Sequence, residues 1–138
     1  MADMNDFNRR VIEEFRANGG KVGGPFAGAS MILLTTKGAK SGRVYTTPLV
    51  YTRDGDRIVI IASKAGAPKN PDWYHNLVAN PVLTVEVGTE KFQVRARLTS
   101  GTERERLYNA QAAQMPMFNE YRKKTTREIP VFVLERIG

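Results

Sequence analysis

The chain has 138 residues, no cysteine, one histidine and a formal net charge of +7 at pH 7. This length predicts a single domain, residues 1–138, with a substantial core. The absence of cysteine excludes disulfides, thiolate catalysis and cysteine metal sites, and one histidine excludes a multi-histidine site, so we expect no metal. A polar N-terminus and the lack of a long apolar run predict a cytoplasmic protein.

The positive charge is concentrated in residues 35–70. Seven basic and two acidic residues fall there, a local net charge of +5. Such a field suits nucleic acid, anionic lipid or an anionic small molecule. A groove for single-stranded nucleic acid also needs aromatic stacking platforms. This window has only Tyr45 and Tyr51, so we do not expect a nucleic-acid partner.

The chain begins with a predicted amphipathic helix over residues 6–17, ended by Gly19-Gly20. Its apolar stripe consists of Phe7, Val11, Ile12 and Phe15. Such a stripe commonly covers the end of a barrel. Since the helix also carries basic residues, peripheral contact with a membrane surface is the alternative.

A loop at 21–29 separates this helix from the first of six predicted strands. The strands are 31–36, 47–53, 57–63, 82–87, 90–98 and 129–137. Asp54-Gly55 predicts a hairpin turn between the second and third strands. Because hairpins dominate, we expect a mainly β (α+β) fold in which an antiparallel six-stranded sheet closes on itself, with flanking helices.

Three further helices are predicted from their ends. Asn70-Pro71, a cap followed by proline at the first helical position, predicts a helix over 71–79. Thr102 and Glu105 predict a capping box for a helix that continues to about residue 114. Met115-Pro116 ends that helix, and residues 118–124 predict one or two more turns.

Two glycine-containing loops carry most of the candidate chemistry. Residues 38–42 combine exposed amides with lysine and serine beside a strand, which suits a phosphate or carboxylate. They lack the GxxxxGK[ST] spacing and the following helix of a P-loop. Residues 63–68 lead into a predicted helix start, which attracts anions. Either loop alone reads equally well as a solvated connection, but two in one small chain favour a binding site.

Few other side chains suggest chemistry. Trp73 reads more readily as a core anchor than as a stacking platform, and His75 as a structural residue. The apolar cluster after the third helix either lines a pocket or packs the helix end; it consists of Met115, Met117, Phe118 and Tyr121. No paired carboxylates or nucleophile–base arrangement stands out, so an enzyme of this kind would rely on a cofactor.

These motifs resemble the deazaflavin-dependent nitroreductase family, the split-barrel reductases that use coenzyme F420. The matching positions are 33–36, Gly38, 40–42, 47–49, 62–64, 69–71, 73–77, 79–81, Arg127 and 129–131. The resemblance implies a six-stranded split β-barrel, FMN-binding-like, with reduced F420 as the hydride donor.

The resemblance also implies the site residues. The phosphate and acidic tail of F420 would lie against Lys37, Ala39, Lys40, Ser41 and Arg43. The ring would lie against Tyr45, Thr46, Thr47, Pro48, Leu49, Val50, Ile61, Ala62, Ser63 and Lys64. The segment closing over the cofactor would be Asp72, Trp73, Tyr74, His75 and Asn76. The substrate pocket would be Met115, Met117, Phe118 and Tyr121.

The implied reaction is hydride transfer to a quinone, an activated C=C such as a coumarin-type enone, or a nitro compound. Ser63 and Tyr121 would polarise or protonate the acceptor. The nitroimidazole-reducing relative has three tyrosines where this chain has Met115, Phe118 and Tyr121, so nitroimidazole is the less expected substrate. The alternatives are an FMN-dependent split-barrel oxidoreductase and a non-enzymatic cofactor carrier. Either a monomer or a homodimer is compatible with the resemblance.

Overall fold

Seven strands and four helices make up the described part of the chain, residues 2–23 and 28–137 of a computed structural model. Positions 24–27 of the predicted loop at 21–29 lie outside it. The helices are α1 Ala2–Ala17, α2 Asp72–Ala79, α3 Gly101–Gln114 and α4 Met117–Lys124, with a 3₁₀ turn at Lys64–Gly66. The strands are β1 Met31–Lys37, β2 Val44–Val50, β3 Thr52–Asp54, β4 Arg57–Ile61, β5 Val82–Val87, β6 Glu90–Leu98 and β7 Val131–Arg136.

All seven strands form one antiparallel sheet in the order β2-β1-β5-β6-β7-β4-β3. The two edge strands, β2 and β3, are consecutive in the chain and are separated only by Tyr51. The sheet therefore curls until its edges meet at Tyr51, whose N–H donates to the Ser30 carbonyl at 3.1 Å. This confirms the mainly antiparallel, barrel-like fold with flanking helices.

The expectation of six strands is wrong by one. Residues 47–53 were expected to form one strand, but the chain changes partner at Tyr51: β2 pairs with β1, and β3 pairs with β4 at the opposite edge. Pro48 lies in β2 opposite Leu33, a position that an edge strand tolerates because one side of its backbone needs no ladder donor. The apolar run of Leu49, Val50 and Tyr51 continues through the corner and gives no sign of the change.

Burial explains how each strand appears in the sequence. The barrel interior is filled by the inner face of the sheet and closed by α2; its largest side chains include Ile32, Leu34, Ile60, Leu77, Phe132 and Leu134. On the outer face, Val59 and Val133 pack under α3 and α4. Strands β1, β4 and β7 are therefore buried on both faces and read as continuous apolar runs. Strands β5 and β6 bury mainly one face and alternate.

Helix α1 covers the outer face of β1. Val11 and Phe15 are buried against Met31 and Leu33. Arg16 adds a bidentate contact to Glu86 on β5, with Nη2 to Oε2 at 2.7 Å. The apolar stripe thus covers the barrel, the more common of its two expected uses, and membrane contact has no support. Among the residues that the structure describes, no helix has the length and apolar character needed to cross a bilayer.

The two predicted helix caps are wrong. Helix α2 begins after Pro71 without a side-chain cap, and the Asn70 side chain instead accepts a hydrogen bond from Arg127 at 2.7 Å. Helix α3 begins after Ser100, two residues before the expected cap, also without a side-chain cap. The Glu105 carboxylate pairs with Arg104. At Asn70 a distant partner takes the group that the local pattern assigned to capping, whereas Glu105 bonds to its neighbour Arg104 in the same helix.

Candidate active site

The first loop, residues 37–43 between β1 and β2, is closed by its own backbone. The Gly38 N–H donates to the Arg43 carbonyl at 2.6 Å, and the Gly42 N–H donates to the Gly38 carbonyl at 3.1 Å. Ser41 Oγ accepts from the Arg43 N–H and lies 3.2 Å from Tyr45 Oη. A Cβ at Gly38 would lie 2.6 Å from Ser41 Oγ, so any larger residue there would displace the Ser41 side chain from its hydrogen bonds.

Helix α2 holds the first loop in place. Asn76 Oδ1 accepts from the Ala39 N–H at 3.0 Å, and Asn76 Nδ2 donates to Thr36 Oγ1 at 3.2 Å. One turn later, Asn80 Nδ2 donates to the Lys37 carbonyl at 3.3 Å. Asn76 is buried, and both ends of its amide are used within the protein. It therefore positions the loop.

The cations of the first loop are exposed and uncompensated. In residues 2–23 and 28–137, Lys37, Lys40 and Arg43 have no carboxylate within 4.0 Å. By contrast, Arg57 and Arg97 both pair with Glu103. Positive charge that the protein does not neutralise is available to an anionic ligand, so the first loop fits a phosphate or carboxylate.

Strand β2 supplies a half-buried strip beside this loop. Its residues from Thr46 to Val50 are all partly buried, while Tyr45 is 46% exposed. The hydroxyls of Thr46 and Thr35 lie 3.2 Å apart across the β1–β2 pair. Because β2 is an edge strand, the backbone groups on its outer side face away from the sheet. Such an edge suits a planar ligand held by main-chain groups.

The second loop, residues 62–70, is organised by Arg127. Its Nη2 donates to the Ser63 carbonyl at 2.7 Å, and its Nη1 donates to the Ala62 carbonyl at 3.2 Å and to Asn70 Oδ1 at 2.7 Å. Its Nε donates to the Ala67 carbonyl at 2.9 Å. Burial lowers the pKa of Arg127 below its usual value. The sequence comparison included this arginine in the family pattern but gave it no role.

Helix α4 packs against the second loop at Gly66. The φ of Gly66 is +82°, and a Cβ there would lie 2.9 Å from both the Tyr121 carbonyl oxygen and Lys124 Cβ. Lys64, in the same turn, has a φ of +47°, a strained value for a residue other than glycine. The structure therefore brings the segments that carry Ser63 and Tyr121, the two predicted catalytic residues, into direct contact.

Ser63 has a free hydroxyl. The residue is 8% exposed, and its Oγ has no hydrogen-bond partner among the described residues. This oxygen is not fully enclosed by the protein, so a small part of it is open to a ligand or to solvent. The neighbouring Ile61 and Ala62 are buried as well, so Lys64 is the exposed side chain at this end of β4, and Ser63 is the one buried residue of the three that carries a hydroxyl.

The predicted substrate residues occupy different environments. Phe118 is only 3% exposed, and its ring packs edge-on against two tyrosines. The ring centroids are 6.2 Å apart for Tyr108 and 5.2 Å apart for Tyr121. Met115 and Tyr121 are half-buried, whereas Met117 is 51% exposed. Phe118 thus belongs to the α3–α4 core, while the other three remain accessible.

The predicted closing segment, residues 72–76 on α2, also contains both buried and exposed side chains. Trp73 is buried and packs on Phe132 with ring centroids 6.0 Å apart, as expected for a core anchor. Tyr74 is half-buried against the same phenylalanine. Asp72 and His75 are exposed. These last two side chains and part of Tyr74 are open to a ligand.

A separate open depression of about 490 Å³ lies at the start of α3. None of the predicted site residues lines it. Its one cation, Arg104, already pairs with Glu105 at 2.7 Å and Glu128 at 3.5 Å, so it offers no free charge to a ligand. Within the described ranges, no group of three or more histidine, aspartate or glutamate side chains could hold a metal ion.

The barrel, the basic first loop and the second loop define a cofactor-dependent reductase of the split-barrel class. The family model of the F420H(2)-dependent quinone reductases matches residues 7–136, so the chain belongs to that family. It is an oxidoreductase, and its cofactor is coenzyme F420. The resemblance drawn from the sequence is confirmed.

Individual relatives agree with this placement. An F420H(2)-dependent quinone reductase of Mycobacterium tuberculosis is 39% identical over 128 residues, 88% of this chain and 85% of the relative. A solved F420-H2 dependent reductase (FDR-A) is 39% identical, with a TM-score of 0.70 over 77% of this chain and 94% of that one. A second solved structure, described as a domain-swapped dimer, is 34% identical, with a TM-score of 0.72 over 97% and 98% of the two chains.

Proposed function

We propose that this chain reduces quinones with reduced F420, using the first loop for the anionic tail and the second loop for the ring. One observation carries the proposal. Helix α2 follows the second loop directly and holds the first loop through Asn76, so both loops are attached to one rigid element. A ligand with an anionic tail and a planar ring could therefore engage both at once.

The tail of F420 carries a phosphate and glutamate carboxylates. Lys37, Lys40 and Arg43 would neutralise these groups, because they are exposed and have no carboxylate partners in the described part of the chain. Arginine can grip a phosphate with two parallel hydrogen bonds, whereas the lysines act as mobile point charges. The Asn76 bridge would keep Ala39 and its neighbours in place when the tail binds.

The ring would lie between the edge of β2 and the second loop. Thr47 and Pro48 would provide one wall, and Ala62 to Lys64 the other. When bound, the reduced deazaflavin supplies the hydride. Orientation by main-chain groups on rigid strands would hold the ring in a fixed position relative to the acceptor, which is how such sites gain rate.

The acceptor would approach from α4. Reduction of a quinone by hydride also consumes a proton, so a hydroxyl beside the quinone oxygen would assist the reaction. Ser63, whose Oγ is unpartnered among the described residues, and Tyr121, on the helix packed against Gly66, are the proposed groups. Both would polarise the quinone oxygen as charge develops on it.

The expected substrate range follows from Met115 and the side chains of α4, which would surround the acceptor. Met115 and Met117 give an adaptable apolar edge that suits quinones and coumarin-type enones. Phe118 and Met115 provide no hydroxyl, so nitro compounds, nitroimidazoles in particular, would be the poorer acceptors. Anaerobic rates with menadione, a coumarin-type enone and a nitroimidazole at equal concentration test this order. A nitroimidazole rate above the menadione rate would reverse it.

Binding separates this proposal from the two alternatives. F420 and FMN titrated into the purified protein should give tight binding of F420 and weak binding of FMN. Tight FMN binding without F420 binding would identify an FMN-dependent oxidoreductase. F420 binding with no turnover of any acceptor would identify a carrier.

A further inference from the structure

The Arg127 side chain donates four hydrogen bonds to a single segment of the chain. All four of its side-chain acceptors lie in the second loop, 57 to 65 residues earlier in the chain. It has no carboxylate partner in residues 2–23 and 28–137. We infer that Arg127 is the positioning residue of the ring-binding loop, which it holds in its binding shape without touching the cofactor. This inference rests on the proposed function.

The hydrogen bonds of Arg127 orient the loop backbone. The carbonyls of Ala62, Ser63 and Ala67 all turn toward the guanidinium. Among the described residues, the N–H groups of Ser63 and Lys64 have no acceptor. Main-chain donors require partners. With the carbonyls held inward, these two N–H groups are left to the ring carbonyls of a deazaflavin.

The loop shape needs such an anchor. Lys64 adopts a φ of +47°, and strained backbone of this kind persists only where its surroundings over-determine it. The planar guanidinium reaches several acceptors in one fixed geometry, which a lysine ammonium cannot reproduce. Arg127 therefore fixes the loop backbone through several directional hydrogen bonds, which the packing of an apolar side chain could not supply.

The anchor is itself rigidly mounted. Arg127 lies between α4 and β7, and its N–H donates to Thr125 Oγ1 at 3.2 Å. Three residues on, the Pro130 carbonyl accepts from the Ala62 N–H at 2.9 Å. One short segment thus connects the proposed ring site with the helix that carries Tyr121. Loss of Arg127 should disturb the donor site and the acceptor site together.

The test uses Arg127→Lys, which keeps the charge but loses the fork, and Arg127→Ala with added guanidinium. In the cofactor-free protein, hydrogen exchange of the Gly66 and Ala67 amides, which bond to Ser63 and Lys64, should become at least about tenfold faster. Exchange in β1 should not change. The Kd for F420 should rise by about 10- to 100-fold. Low-millimolar guanidinium should restore much of the affinity of Arg127→Ala.

Arg57→Lys is the matched control. Arg57 is a half-buried arginine that pairs with Asp54 and Glu103 and, among the described residues, with no group in the second loop or in residues 125–130. This substitution should lower the Tm without changing the exchange of Gly66 and Ala67 or the Kd for F420. A variant that only destabilises the fold would behave like this control.

The outcomes are distinct. If folded Arg127→Lys keeps wild-type exchange at Gly66 and Ala67 and a Kd within about twofold, the inference is overturned. If Arg127→Ala does not fold, Arg127→Lys still decides. If wild-type protein does not bind F420, the proposed function fails, while the exchange of the cofactor-free protein still shows whether Arg127 fixes the loop.

Discussion

Replacing Lys40 by alanine should weaken F420 binding by an amount set by its exposure. Lys40 is exposed, and in the described residues it has no carboxylate partner, so its charge acts through water. A charge pair about 4 Å apart in water is worth roughly 1 kcal/mol, or about fivefold in Kd. Removing Lys37, Lys40 and Arg43 together should cost roughly 100-fold if the three contributions add.

The measurement is a titration of F420 into cofactor-free protein, followed by fluorescence, at low and high salt. At about 1 M salt the Debye length is only about 3 Å, so the loss caused by Lys40→Ala should fall below about twofold. Lys91→Ala is the control. Lys91 lies opposite Glu86 in the β5–β6 ladder, and Glu86 lies opposite Leu33 in the β1–β5 ladder. Leu33 is four residues before Lys37, so Lys91 lies roughly 13 Å from Lys37 along the strand direction. Equal losses in the two variants at low salt would refute the assignment of the first loop.

Three further variants test other parts of the molecule. Tyr121→Phe should lower kcat with menadione by about tenfold or more and leave the Kd for F420 unchanged; an unchanged kcat would exclude its hydroxyl from the reaction. Gly66→Ala should cost about 1–3 kcal/mol in urea unfolding, more than Gly55→Ala, because a Cβ at Gly66 meets α4 whereas Gly55 has nothing within 4 Å. Equal costs would contradict the tight contact with α4. Hydrogen bonds from Arg106 and Arg57 hold the pKa of Asp54 at about 2, below its usual 3.8. The stabilisation from ionised Asp54 is therefore fully present above pH 3.8 and is lost as the pH falls toward about 2. Over that pH range the free energy of unfolding should decrease more steeply with falling pH in wild type than in Asp54→Asn. Parallel slopes in urea melts across that range would show that this ion pair contributes nothing.

Local patterns predicted the strands well where burial is local. The alternation of β5 and β6 matches their one buried face, and the apolar runs of β1 and β4 match strands buried on both faces. The division at Tyr51 was missed because it depends on which distant strand each half pairs with. The caps predicted at Asn70 and Thr102 are wrong because Arg127 takes the Asn70 side chain and because α3 begins after Ser100, before Thr102.

The site was predictable as a set of segments rather than as an arrangement. Glycine, lysine and serine near strand ends indicated both loops, and the local charge indicated an anionic ligand. The Asn76 bridge to Ala39 spans 37 residues, and Arg127 reaches further still. Contacts between such distant residues leave no local signal, so the positioning roles of these two side chains emerged only from the fold.

A single-turnover experiment tests the central claim most directly. Anaerobic protein loaded with reduced F420 is mixed rapidly with menadione, and oxidation of the deazaflavin is followed over time. The account predicts rapid oxidation whose rate saturates with quinone concentration and is much slower in Tyr121→Phe. Oxidation no faster than in a mixture without protein would contradict it.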